Sequence, residues 1–198
     1  MKSSIAILFT LITNFSFAQS NKGYVATATA FRTKYVQDHD VVTGENKKNF
    51  SFFPVDLSFA VRADFKEMKN KPEVKFKTFS GGGQTYLVYG KLSFRYKGKN
   101  YELFAYYSTR EPKEDQYKNY LFIPFTDLTS GDETYGGGRY LDIQTTDIKK
   151  GKVLLDFNKA YNPYCAYTTG FNCPIPPKEN DLDLAVKAGE KNFKKSVH

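Results

Sequence analysis

Residues 84–107 read QTYLVYGKLSFRYKGKNYELFAYY. Two runs rich in Tyr, Phe, Val and Leu flank the link Lys97-Gly98-Lys99. Apolar and polar residues alternating along a run suit a half-buried strand, and a glycine in a short polar link supplies the positive φ of a tight hairpin turn. The stretch therefore predicts a β-hairpin. Tyr86, Val88, Leu92 and Phe94 are expected on one face, with Tyr101, Leu103, Ala105 and Tyr107 matching them on the return strand.

The same pattern continues on both sides. Upstream, Phe59, Val61, Ala63 and Phe65 alternate with Ala60, Arg62 and Asp64. Residues 73–79 repeat the alternation, and the link through Lys69 and Pro72 makes the two strands antiparallel neighbours. Residues 80–83 carry three glycines but no helix start follows them, so they read as a turn and not as a phosphate loop. Downstream, residues 108–118 with Glu111-Pro112 form a surface loop, and residues 121–125 form a strand. Residues 139–143 and 152–157 form a further pair joined through Lys149-Lys150-Gly151. Residues 184–188 are a last strand, and residues 192–198 a basic tail. Only residues 21–40 approximate helical spacing, with Ala26, Ala30, Phe31, Tyr35 and Val36 as the stripe. Aromatic residues make up 17% of the chain, which favours cross-strand pairing. The expected fold is mainly β, an antiparallel β-barrel or sandwich with one short N-terminal helix.

Residues 1–18 have the form of a signal peptide. Lys2 opens them, an apolar run spans residues 5–12, and Ser16-Phe17-Ala18 places small residues at −3 and −1 of a cut before Gln19. The run is too short to span a bilayer, and no Cys follows to carry a lipid. The expected organisation is a signal peptide at 1–18, a helix and loop arm at 19–49, and a β-domain at 50–198. The mature product is expected in the periplasm or outside the cell, without a transmembrane segment. The formal charge is +8. Basic residues alternate with Asp64, Glu67 and Glu73, as on a solvated face, so nucleic acid is not an expected partner.

Chemistry-bearing residues gather in 119–191. Gly136, Gly137 and Gly138 precede Arg139, with Asp127, Asp132, Glu133 and Tyr135 nearby. Glycine N–H groups and a guanidinium suit an anion. The competing reading is a turn in which Arg139 pairs with Asp142 or Glu133. Asn158 and Asn162 either stabilise turns or point amides into a pocket beside Arg139. Cys165 and Cys173 are the only cysteines. In an exported protein they are expected to form a disulfide, which for so short a loop contributes roughly 2.5 kcal/mol. Zinc is unsupported, because the only histidines are His39 and His198 and the spacing fits no finger. A nucleophilic Cys165 would need a base, and His39 is the only candidate. Pro174, Pro176 and Pro177 stiffen the run into Glu179 and Asn180. Glu179 is either a general acid or base, or a partner for Arg139. No nucleotide or metal motif is present, so no cofactor is expected.

The segments FIPFTDLTSGDETYGGGRYLDI, DFNKAYNPYCAY and CPIPPKEN followed by AVKAGEK resemble a bacterial family of unknown function, domain-of-unknown-function family sixteen eighty-four. FFPVDLSFAVRADF resembles its upstream block. The resemblance places Arg139, Asn158, Asn162, Cys165, Cys173, Glu179 and Asn180 among the family's characteristic positions, with Asp181 departing from its usual basic residue. It implies no established activity.

The leading functional expectation is a module that binds a small anionic or polar ligand through Arg139, Tyr135, Asn158, Asn162, Glu179 and Asn180. A hydrolase using Glu179 or Cys165 and a structural envelope protein are the alternatives. Pairing of the strands 139–143 and 152–157 would make Arg139 and Asn158 neighbours, with Glu179 and Asn180 beside them.

Overall fold

The computed structural model describes residues 6–110 and 118–194. Residues 1–5, the loop at Glu111-Pro112 and the end of the basic tail lie outside the described residues. The fold is mainly β: among the described residues, one α-helix, α1 (Ala6–Gln37), then eight strands. These are β1 (Ala60–Glu67), β2 (Glu73–Lys77), β3 (Gly83–Tyr96), β4 (Lys99–Ser108), β5 (Tyr120–Asp127), β6 (Arg139–Gln144), β7 (Lys152–Asp156) and β8 (Asp181–Leu182). They form one curled half-barrel in the order β6-β5-β4-β3-β1-β7, with β2 added to β3 and β8 to β5. All pairs are antiparallel except β5–β8. Among the described residues, no helix is long and apolar enough to cross a membrane.

The β3–β4 hairpin forms as its sequence indicates. Lys97 and Gly98 both take positive φ, 44° and 85°, the signature of a two-residue type I′ turn. Its faces differ from the expected ones. The β3–β4 register shifts between Val88 and Gly90, and a one-residue shift moves side chains to the opposite face. Leu92 and Phe94 therefore join the inner core with Leu103 and Ala105. Tyr86 and Val88 lie on the outer face with Phe76 and Tyr106. Strict alternation would have kept all four of the β3 residues together.

The pairing of β1 with β2 does not occur. Fourteen-residue β3 is long enough to take both on one edge: β2 along 83–87 and β1 along 90–93. Nor do β6 and β7 pair. The expected turn exists, with Lys150 and Gly151 at positive φ and a Lys149↔Lys152 bridge. A 3₁₀ turn at Thr145–Asp147 precedes it, tied by Thr145 N–H to the Asn119 carbonyl. The chain is thereby redirected, so that β6 runs along β5 and β7 along β1. The two strands become opposite edges of the sheet.

The C-terminal segment closes the curl in place of that pairing. Residues 184–188 are not a strand. Val186 and Ala188 enter the core instead, fully buried. Gly189 follows at φ 77°, where a Cβ would lie 2.7 Å from the carbonyls of Phe157 and Ala160, so only glycine fits. Glu190 N–H bonds the Ala160 carbonyl, and Phe53 N–H bonds the Gly189 carbonyl.

The face that α1 presents is rotated from the expected stripe. Ala26, Ala30 and Phe31 are exposed and Tyr35 and Val36 are half-buried, while Ala28 and Arg32 are buried. Polar anchors set this rotation. Tyr24 OH donates to Asp156 at 2.7 Å, and Arg32 donates to the Phe53 carbonyl at 2.7 Å and the Asn158 carbonyl at 3.2 Å.

Candidate functional site

Most of the expected site residues are engaged inside the fold. Arg139 begins β6 with its side chain inward. It donates to Asp127 at 3.2 Å and to the carbonyls of Val186, Ala188 and Glu190 at 2.9, 2.5 and 3.2 Å. Burial lowers its pKa, and Asp127 works against that shift. Its partner is therefore neither Asp142, Glu133 nor Glu179. Glu133 pairs with Lys187 at 2.8 Å, and Glu179 is exposed. The glycines before Arg139 form a turn, with Gly138 N–H bonded to the Tyr135 carbonyl. Gly138 has φ 83°, and a Cβ there would sit 2.6 Å from the Phe125 carbonyl. Tyr135 is half-buried, with its ring 6.0 Å from Phe79.

The asparagines act as backbone mimics. Asn158 accepts from Asp56 N–H and donates to the Asp56 carbonyl, at 2.9 and 2.8 Å. Asn180 sits between β4 and β5, whose ladder pairs only Tyr106 with Phe122. Pro124 has no N–H to continue that ladder. The Asn180 amide fills the gap, accepting from Phe104 N–H at 2.7 Å and donating to the Phe104 and Pro124 carbonyls at 2.9 and 2.7 Å.

Arg139 and Asn158 are not hydrogen-bonded to each other, because their strands lie at opposite edges. The two loops still meet. Tyr140, next to Arg139, forms an antiparallel bridge with Tyr161, its N–H and carbonyl bonded at 2.9 and 3.1 Å. Beside this bridge, on the outer face of the sheet, is a cavity of about 410 Å³. Of the expected residues, Asn162 and Cys173 line it.

Eight rings surround the cavity in an unbroken path. β3 supplies Tyr86, β5 Phe122 and β6 Tyr140, each outward by alternation. The loop after β7 supplies Tyr161, Tyr164 and Phe171, while α1 and its C-terminal end supply Tyr35 and His39. Starting from Tyr86, the path runs to Phe122 (5.6 Å between centroids), Tyr140 (4.6 Å), Tyr161 (5.8 Å) and Tyr35 (6.0 Å). It continues to His39 (5.4 Å), Tyr164 (5.6 Å) and Phe171 (4.9 Å). These separations suit edge-to-face and offset ring packing. Among the described residues, no Asp, Glu, Lys or Arg lines the cavity.

Cys165 and Cys173 close its outer wall as a disulfide-distance pair, Cα to Cα 6.3 Å, within the span that a bridge requires. His39 does approach this loop, through Tyr164. Its Nδ1 accepts from Val42 N–H at 3.0 Å, so the neutral ring carries its proton on Nε2. Burial lowers its pKa, with a smaller opposing effect from Asp40. Among the described residues, His39 Nε2 and Asn162 Oδ1 are buried without a partner. The Asn162 orientation is set by Nδ2, which donates to the Lys191 carbonyl at 2.8 Å.

Two carboxylates stand behind the rings. Tyr161 OH donates to Asp142 at 2.6 Å, and burial pushes the Asp142 carboxyl up to about 6. Glu190 is fully buried and accepts from Tyr167 OH (2.8 Å), Asn162 N–H (2.9 Å) and Tyr35 OH (3.3 Å). Burial pushes its carboxyl up to about 7, against those hydrogen bonds. Among the described residues, no three His, Cys, Asp or Glu side chains converge as metal ligands. Sequence reasoning missed this site. Its rings come from three strands, one loop and a helix with its C-terminal end, and the one visible signal was the high aromatic content.

The family model "Protein of unknown function (DUF1684)" matches residues 45–191. The chain is also similar to the solution NMR structure of an uncharacterized protein from gene locus rrnAC0354 of Haloarcula marismortui. That likeness has 30% identity and a TM-score of 0.66 over 87% of this chain and 96% of the other. No curated protein matches.

Proposed function

The chain belongs to the DUF1684 family of proteins of unknown function, and we propose that it is a small-molecule-binding β-domain whose site is the ring-lined cavity beside Tyr140 and Tyr161. The observation that carries this reading is the unbroken path of eight rings around about 410 Å³ with, among the described residues, no charged side chain in the lining. Ligand sites are concavities of roughly 300–1,000 Å³ with mostly apolar and aromatic walls and few polar groups. The polar groups in the wall are few: the His39 imidazole, the Asn162 and Asn172 amides and the tyrosine hydroxyls. The anionic ligand expected from Arg139 finds no support, because that guanidinium is enclosed and shared among Asp127 and three carbonyls.

The test is a screen of mixed neutral and charged fragments against protein labelled at tyrosine, read by NMR. Hits should shift the Tyr140 and Tyr161 ring signals and disappear in Phe122→Trp, which fills the cavity. Hits that persist in that variant, or a screen without hits, would refute the reading.

We also infer export. Cleavage before Gln19 would leave the part of α1 that carries Tyr24, Arg32 and Tyr35, and so keep their contacts with the body. Mass spectrometry of the native protein should find Gln19 at the N-terminus, and an intact Met1 would sink the idea.

A further inference from the structure

We propose that the cavity takes an organic ammonium ion, its charge held against ring faces backed by Asp142 and Glu190. The proposal rests on the cavity being the binding site and names the ligand's class. Three observations support it. First, a desolvated cation over several aromatic faces is stabilised by their quadrupoles, and cages of rings recognise substituted ammonium groups in this way. Second, two wall phenols donate their protons to carboxylates: Tyr161 to Asp142 at 2.6 Å and Tyr35 to Glu190 at 3.3 Å. Such donation polarises the phenol and leaves its ring face more negative. The Asp142 charge also reaches Tyr140, whose phenol is raised chiefly by burial and further by Tyr86, Tyr135 and Asp142.

Third, among the described residues no cation forms an ion pair with the carboxylates behind the rings. Arg139 lies near Glu190 but is already matched by Asp127. Among the described residues, Asp142 has no ion-pair partner, although Lys149 and Lys159 line the cleft on its far side. Among the described residues, the cations whose charge reaches the walls are Arg110, acting on Tyr86, and Lys47, acting on His39. Arg110 is exposed and therefore screened, and Lys47 donates to the Gln37 carbonyl. At pH 8 both carboxyls, raised by burial to about 6 and about 7, are ionised.

The experiment compares three ligands of one shape at pH 8: choline, its neutral carbon isostere 3,3-dimethylbutan-1-ol, and the anion 3,3-dimethylbutyrate. Affinity is read from the cavity tyrosine signals of the full chain. Choline should bind about tenfold more tightly than the neutral isostere. Asp142→Asn should weaken choline by about tenfold and leave the neutral isostere unchanged. Tyr161→Phe, which keeps the ring but frees Asp142, is the second variant should Asp142→Asn melt early. Phosphatidylcholine vesicles run beside free choline distinguish a lipid headgroup from a free ion, and binding in either arm fulfils the proposal. Equal binding of the neutral isostere, or preference for the anion, at the same tyrosines would overturn the cation and leave the cavity as the site. Silence from all three would overturn the cation too, and the fragment screen would then decide the cavity.

Discussion

Arg139 and Asp127 face each other at 3.2 Å, with side chains only 0% and 1% exposed. Asp127 also accepts from Val186 N–H at 2.8 Å, while Arg139 donates to the Val186 carbonyl at 2.9 Å. One buried ion pair thus grips both sides of the segment that closes the half-barrel.

Removing one partner strands the other charge and three carbonyls. Arg139→Ala should cost roughly 3–5 kcal/mol, the usual penalty for breaking a buried pair. Urea denaturation checks it. A loss below about 1 kcal/mol, the worth of a surface pair, would mean that the closure does not depend on this contact.

Asn180→Leu should remove the splice between β4 and β5. The Phe104 amide would lose its acceptor at a cost of about 1–3 kcal/mol. Hydrogen exchange at Phe104 should accelerate more than at Leu103, and equal exchange in variant and parent would contradict the assigned role.

Glu190 makes stability fall as pH rises. Its carboxyl is raised by burial from 4.5 to about 7. Between those values the folded state holds a proton that the unfolded state has lost. The contribution is therefore fully present below 4.5 and is lost by about 7, at up to about 1.4 kcal/mol per pH unit. Asp142 acts in the same direction from 3.8 to about 6. His39, with its pKa lowered by burial, acts in the opposite direction below its ordinary value. Tyr35, Tyr167, Asn162 and Arg139 surround the Glu190 carboxyl and carbonyl. The readout is the difference between parent and Glu190→Gln in melts from pH 4.5 to 8. The parent should lose stability relative to the variant as pH rises, and parallel curves would refute the account.

The cysteine pair holds the outer wall of the cavity. Cys165→Ser with Cys173→Ser should cost at most about 2.5 kcal/mol, the chain-entropy value for so short a loop. It should also loosen Tyr164 and Phe171 before it affects the β3–β4 hairpin. Two freely alkylated thiols in the native protein would rule the bridge out.

Local physics was legible in the chain. The turn at Lys97-Gly98 and the alternation of Val61, Ala63 and Phe65 each depend on a few adjacent residues. The rotation of α1 was not, because Tyr24 and Arg32 chose the buried face through partners far along the chain, Asp156 and the Asn158 carbonyl. The residues picked as chemically special, Arg139, Asn158 and Asn180, were indeed constrained. The sequence does not distinguish a polar group that faces a ligand from one that replaces a missing backbone partner.

The sequence by itself determined the mainly β class, the hairpin and its turn, and the existence of most strands. Backbone propensity, turn chemistry and alternation act over a few residues, so they can be read in order. Only the tertiary structure decided which strands pair. That choice turns on a one-residue register shift after Val88 and on whether a distant edge is free, and no local pattern encodes either. The same holds for the cavity. Tyr35, Tyr86, Phe122, Tyr140 and Tyr161 are dispersed in the chain, and they become one wall only when the sheet curls and α1 docks against it.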